Sequence, residues 1–166
     1  MKFKKSVFIL FLAGFSLLAQ TDLEKQQIDS QLNVWHKAAA DADFDAYFNL
    51  MTDDAIFIGT DATENWNVEE FKAFAKPYFD RGKAWNFTAI DRNIFLDQSK
   101  NIAWFDELLS TQMGICRGSG VLVKNDGRWK IKHYVLSIAI PNDDVDQVTA
   151  IKKEHDSLFI SKVLQN

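Results

Sequence analysis

The chain has 166 residues and a formal net charge of -4, with 23 acidic against 19 basic side chains. That sign makes phosphate polymers poor partners and argues against a nucleic-acid-binding role. Cys116 is the single cysteine, so an intrachain disulfide and a cysteine-based zinc site are excluded and the core must carry stability.

Lys2, Lys4 and Lys5 form a basic start that leads into an uncharged run over residues 6–19. The run is short for a membrane span and turns polar at Gln20, which predicts a bacterial-type signal peptide over residues 1–20 and a periplasmic or secreted product without a stable membrane anchor. About 145 residues follow, one domain's worth of chain. Within them Ile28, Leu32, Trp35 and Ala39 recur at helical spacing and predict a first helix over residues 22–40. His36, one position from Trp35, is expected at the solvent edge of that face. Asp43 can cap a short second helix that brings in Tyr47 and Phe48, and residues 55–58 read as a strand. Asn67 and Glu70 have capping-box spacing ahead of Phe71, Phe74, Ala75, Tyr78 and Phe79, a third helix that Gly82 can stop.

Strands are predicted over residues 85–96, 102–111, 115–124 and 128–140, joined by links short enough for an antiparallel meander. The tail over residues 143–166 has a weak helical pattern and no predicted partner for His155.

Facing follows from strand alternation. If Lys130 and Lys132 face water, then Trp129, Ile131, His133, Val135 and Ser137 face inward. A three-residue hairpin loop Asn125-Asp126-Gly127 would pair Lys124 with Arg128 and turn Val121, Ser119 and Arg117 inward as well. His133, Ser119 and Arg117 would then share the concave face with one of two adjacent carboxylates, Asp106 or Glu107, according to the turn near Met113. Such a set suits acid and base work on a small apolar carbonyl compound, with Arg117 holding an anionic oxygen, and it needs no cofactor or metal. The competing reading is an internal ion pair that satisfies polar groups. Trp35, Tyr47, Trp66, Phe74, Trp85 and Trp104, with Ser119 and Val135, are the expected ligand-binding lining, and Cys116 is expected as a packed thiol. Tyr134, Leu136 and Ile138 would form an apolar outer patch suited to a homodimer.

Two segments carry a family resemblance. Trp35 to Asp45 followed by Met51-Thr52-Asp53-Asp54-Ala55, and Asp126-Gly127-Arg128-Trp129-Lys130-Ile131-Lys132-His133, resemble the opening and the final strand of nuclear transport factor 2-like (NTF2-like), SnoaL-like domains. The resemblance implies an α+β fold, a cone of helices on a strongly curved antiparallel sheet (a cystatin-like roll), over residues 21–142, with a pocket at the open end and dimers common. The superfamily includes isomerases, dehydratases, cyclases and proteins without catalysis, so fold does not select a function. Against the ketosteroid isomerases, the tyrosine position falls on Trp35 and the catalytic aspartate position on Gly59, which has no side chain to act as a base. The expectation is a protein that binds a small, largely apolar molecule without turnover. The alternatives are a cofactor-free lyase, isomerase or cyclase, and a structural dimer with a filled cavity.

Overall fold

The computed structural model describes the backbone of residues 5–165 and the side chains of residues 20–165. The expected basic start at Lys2 and Lys4 lies outside the described residues. Helix α1 spans Lys5–Ala40, so it runs without a break through the expected cleavage region into the helix predicted from residue 22. Only Gly14 among residues 6–21 is a poor helix former, and no proline interrupts the run. Ile28, Leu32 and Ala39 are fully buried and Trp35 nearly so, as their spacing requires.

Helix α2 (Phe44–Asn49) starts on Asp43, whose carboxylate accepts from the Ala46 amide at 3.0 Å. Strand β1 (Met51–Ile58) leads to a short strand β2 (Asn65–Asn67) that the sequence pattern did not reveal, because three residues are too few to show alternation. Helix α3 (Val68–Asp80) begins with the expected capping box, in which Asn67 accepts from Glu69 and Glu70 while Glu70 accepts from Asn67. Its buried side chains are Val68, Phe71, Ala75 and Phe79. Strands β3 (Thr88–Leu96), β4 (Ile102–Thr111), β5 (Gly114–Asn125) and β6 (Arg128–Ile138) then form the meander. A 3₁₀ turn at Asn142–Asp144 precedes helix α4 (Val145–Leu164), on which Ile151 and Leu158 lie exposed.

The strands make one unclosed six-stranded sheet in the order β2-β1-β6-β5-β4-β3. The sheet is mixed, because β1 runs parallel to β6 while every other neighbouring pair is antiparallel. Helices and sheet enclose an aromatic core that includes Trp35, Tyr47, Phe57, Phe71, Phe105 and Tyr134.

Two local features reverse the expected facing of β5 and β6. The hairpin between them pairs Asn125 with Arg128, leaving the two-residue turn Asp126-Gly127 in place of the expected three-residue loop. Both turn residues have positive φ, 49° and 75°, the type I′ geometry that matches strand twist. Lys124 therefore pairs with Trp129 on the inner side, and Leu122, Gly120, Gly118 and Cys116 point inward. On β6 the register shifts between Ile131 and His133, so Lys132 is an extra residue in a bulge. Trp129 and Ile131 face inward as expected, but beyond the bulge Tyr134 and Leu136 replace His133 and Val135 there. Burying a large apolar side chain is worth about 1.5–3 kcal/mol, against about 0.5–1.5 kcal/mol for one lost ladder hydrogen bond. Packing therefore wins over regular pairing.

The outer patch expected from Tyr134, Leu136 and Ile138 is corrected by the same shift: Tyr134 is fully buried, Leu136 nearly so, and Ile138 is exposed at the strand end. The outer face instead carries Phe95 paired with Trp104, with Ile102 beside them and Ile115 at the other end of the strands.

Candidate functional site

The β4–β5 register decides which acid enters the cone. Thr111 pairs with Gly114 across the turn Gln112-Met113, which places Glu107 opposite Gly118 on the inner face and Asp106 opposite Ser119 on the outer face. Asp106 accepts from Asn93 at 3.1 Å on the outside. Arg117 is exposed, and His133, Ser119 and Val135 are half-buried on the same outer side. Of the four residues proposed from sequence as catalytic, only Glu107 lies inside. Its neighbours are not the expected ones.

Three strands and α1 meet at Glu107. Its Oε1 accepts from the Tyr134 hydroxyl at 2.9 Å and lies 2.9 Å from His36 Nε2. An ionised carboxylate only accepts, so Nε2 carries a proton and donates to it. Oε2 accepts from Arg92 Nε at 2.8 Å, with the second guanidinium nitrogen Nη2 at 2.7 Å. Arg92 Nη1 then reaches α1, where it donates to the Asp29 carboxylate at 2.7 Å and to Asn33 Oδ1 at 2.9 Å. Asp29, Asn33 and His36 stand at i, i+4 and i+7 and form a polar row beside the apolar row of the same helix. That spacing is the one signal in the sequence for this cluster, and the solvent-edge position expected for His36 hides it; the residue is 3 % exposed.

Burial pushes the Glu107 carboxyl up, but the His36 hydrogen bond and charge, together with Arg92, outweigh it and hold the group below its ordinary value of 4.5. The Tyr134 hydroxyl is pushed well above its ordinary range, first by burial and then by the Glu107 charge, so it stays a donor. Because the folded-state pKa of Glu107 is depressed, its contribution to stability is full above 4.5 and is lost as pH falls through the folded value. Glu24 has the same sign: its bond to Lys124 is the main cause of a lowered pKa, and it also accepts from Trp129 Nε1 at 3.0 Å. The urea midpoint is therefore expected to fall as pH drops below about 4.5, and less so in Glu107→Gln.

A separate aromatic cavity of about 110 Å³ lies between α3, the β1–β2 loop and the β4–β5 turn. Phe57, Trp66, Phe71, Phe74, Trp85 and Phe87 line it, with Met113, Leu136, Gln112, Thr60 and Glu64. The rings are mutually ordered: Trp66 lies 4.3 Å from Phe74 and Phe57 lies 4.0 Å from Phe71 between centroids, within 25° and 15° of parallel. Of the residues expected to line a ligand site, Trp66, Phe74 and Trp85 border this cavity. Trp35 and Tyr47 are buried in the core, stacked on each other at 4.9 Å. Trp104 lies outside, 47 % exposed and stacked on Phe95. Among the described residues no group of three or more His, Cys, Asp or Glu side chains is arranged to hold a metal.

Helices over an unclosed, curved mixed sheet define an NTF2-like architecture. The SnoaL-like domain family model matches residues 28–141, so the chain belongs to that family. Comparison with curated protein sequences gives no match. Among solved structures, an NTF2-like protein of unknown function from Pseudomonas putida is 14% identical with a TM-score of 0.61, covering 74% of this chain and 90% of its own. The association domain of CaMKII from C. elegans is 22% identical with a TM-score of 0.60, covering 70% and 97%. A candidate dehydratase of the NTF2-like family from Streptomyces avermitilis is 12% identical with a TM-score of 0.62, covering 73% and 99%. At these identities the likeness is one of fold.

Proposed function

We propose that this is an exported SnoaL-like protein that binds a small, largely apolar molecule in the aromatic cavity and does not turn it over. The observation that carries the reading is the contrast between the two interior sites. Glu107 is engaged on both of its oxygens by Tyr134, His36 and Arg92 and does not border the cavity. The cavity, by contrast, is lined by six rings and is smaller than the few hundred cubic ångströms of a drug-sized site, which favours a ligand no larger than a single ring. Export rests on the basic start and apolar run of the first 20 residues, and recovery of full-length chain in the cytoplasm alone would count against it.

Binding is tested by titrating the chain with single-ring aromatic compounds while following tryptophan fluorescence and ligand-observed NMR. Saturable binding that weakens about tenfold or more in Trp66→Ala is expected. Absence of saturable binding by any compound of this size would remove the proposal.

The outer sheet face supports a second element of the reading, self-association. Phe95, Ile102, Trp104 and Ile115 are exposed there, with Asp91 and Asp106 toward β3 and β4 and Arg117, Lys130 and His133 toward β5 and β6. A two-fold axis lying between the stacked faces and running along the strands sets the acids of one copy against the bases of the other. Trp104→Glu is expected to shift sedimentation from dimer to monomer with the folded spectrum retained, whereas a wild-type monomer at high concentration would refute the interface.

A further inference from the structure

The lining of the aromatic cavity has a sign as well as a size. Among the described residues Glu64 is the only charged side chain on its wall, and no lysine or arginine lines it. The carboxylate is built into place. Glu64 Oε2 accepts from the Asp61 amide at 3.1 Å, and the Gly59 amide donates to the Glu64 carbonyl at 2.9 Å, closing the loop between β1 and β2. A Cβ at position 59 would lie 2.1 Å from Glu64 Oε2, so the carboxylate can lie against this stretch of backbone only because residue 59 is glycine. Trp66, two residues on, stacks on Phe74 and lies 5.8 Å from Phe71 at 11° from parallel. Electron-rich rings and a fixed carboxylate thus share one small enclosure.

We propose that the cavity is a site for a small organic cation of the quaternary ammonium class. This deepens the binding reading and rests on it. Ring faces attract a cation through their quadrupole, and a carboxylate beside them adds to the same potential. An anion would meet repulsion from both, which the side-chain donors among the described lining residues, Gln112, Thr60 and the indole N–H groups of Trp66 and Trp85, would have to offset. A primary ammonium would lose three strong hydrogen bonds to water and regain few. A quaternary ammonium has none to lose and presents methyl groups to the rings. The volume limits the group to about the size of benzene or less, which a trimethylammonium head meets.

The test compares choline with its neutral isostere, 3,3-dimethylbutan-1-ol, on the full chain by tryptophan fluorescence and ligand-observed NMR. Choline is expected to bind about tenfold more tightly. In Glu64→Gln the preference should shrink to about threefold or less, while the isostere's affinity stays within about twofold, which also reports that the cavity is intact. If the isostere binds wild type as tightly as choline or better, the cation assignment is overturned while the apolar site stands. If neither compound binds saturably, and single-ring compounds do not bind either, the site itself is refuted. The wild-type comparison needs no variant, so a misfolded Glu64→Gln leaves the assignment open to refutation.

Discussion

Glu107→Leu is expected to destabilise the domain by about 3–5 kcal/mol, measured by urea unfolding at pH 7, because it removes the common partner of a buried arginine, a buried histidine and a buried tyrosine hydroxyl. Leucine has a similar volume, so the loss is one of hydrogen bonds and charge. Arg92 keeps its bonds to Asp29 and Asn33 on one nitrogen, but its Nε loses its acceptor and its Nη2 the carboxylate charge beside it. The Tyr134 hydroxyl and His36 Nε2 lose theirs too. The control is the double variant Arg92→Met with Glu107→Leu. With both charges gone, little unpaired charge remains inside, and the pair should recover at least about half of the single-variant loss. A loss below about 1 kcal/mol in Glu107→Leu would show that the network does not hold the sheet to α1.

Gly118→Ala is the second large effect expected, and its sign runs against simple propensity. Alanine in place of an interior strand glycine is ordinarily favourable by about 0.5–1 kcal/mol. At this position a Cβ would lie 2.2 Å from the Tyr134 hydroxyl oxygen and 2.9 Å from Glu107 Oε1. Neither can retreat without breaking the bond between them, so a net loss of about 1–3 kcal/mol is expected. Tyr134→Phe removes the closest atom, although the ring carbon beneath it still stands 2.9 Å from the new Cβ. In that background the cost of Gly118→Ala should fall by about half, a coupling that a double-mutant cycle measures directly. A neutral or stabilising Gly118→Ala would mean that β5 shifts freely and that the Tyr134–Glu107 contact is not fixed.

These two residues also mark how much of the site could be read from sequence. The choice between Asp106 and Glu107 was confined to two adjacent carboxylates, since alternation sends one inward whichever register holds. His133 is placed in the interior by extending a regular alternation from Lys130 and Lys132, which fails at one residue, and Arg117 by a three-residue hairpin loop where the structure has the two-residue turn Asp126-Gly127. Lys132 sits in the bulge and forms an ion pair with Asp54, and each side chain after it changes face. Arg92 carried no signal at all, because a lone arginine on an edge strand reads as solvent-exposed until α1 lies across it. Trp66, Phe74 and Trp85 were legible as aromatic lining, whereas their spacing could not say that Trp104 belongs to the opposite face.

What the sequence determined by itself is local. The apolar row of α1, the Asp43 cap, the Asn67–Glu70 capping box and the meander of strands each follow from interactions within a few residues, where backbone geometry leaves little choice. The glycine at position 127 likewise marked its turn, although not the loop length. Tertiary structure alone decided the phase of β6 and the company of Glu107. His36 and Glu107 are 71 residues apart in the chain and meet only because the rings of Tyr134 and Phe105 draw the sheet onto α1. The bulge that makes this possible is settled by competition between buried apolar area and one ladder hydrogen bond, a contest whose outcome depends on what the helices bring to the other side.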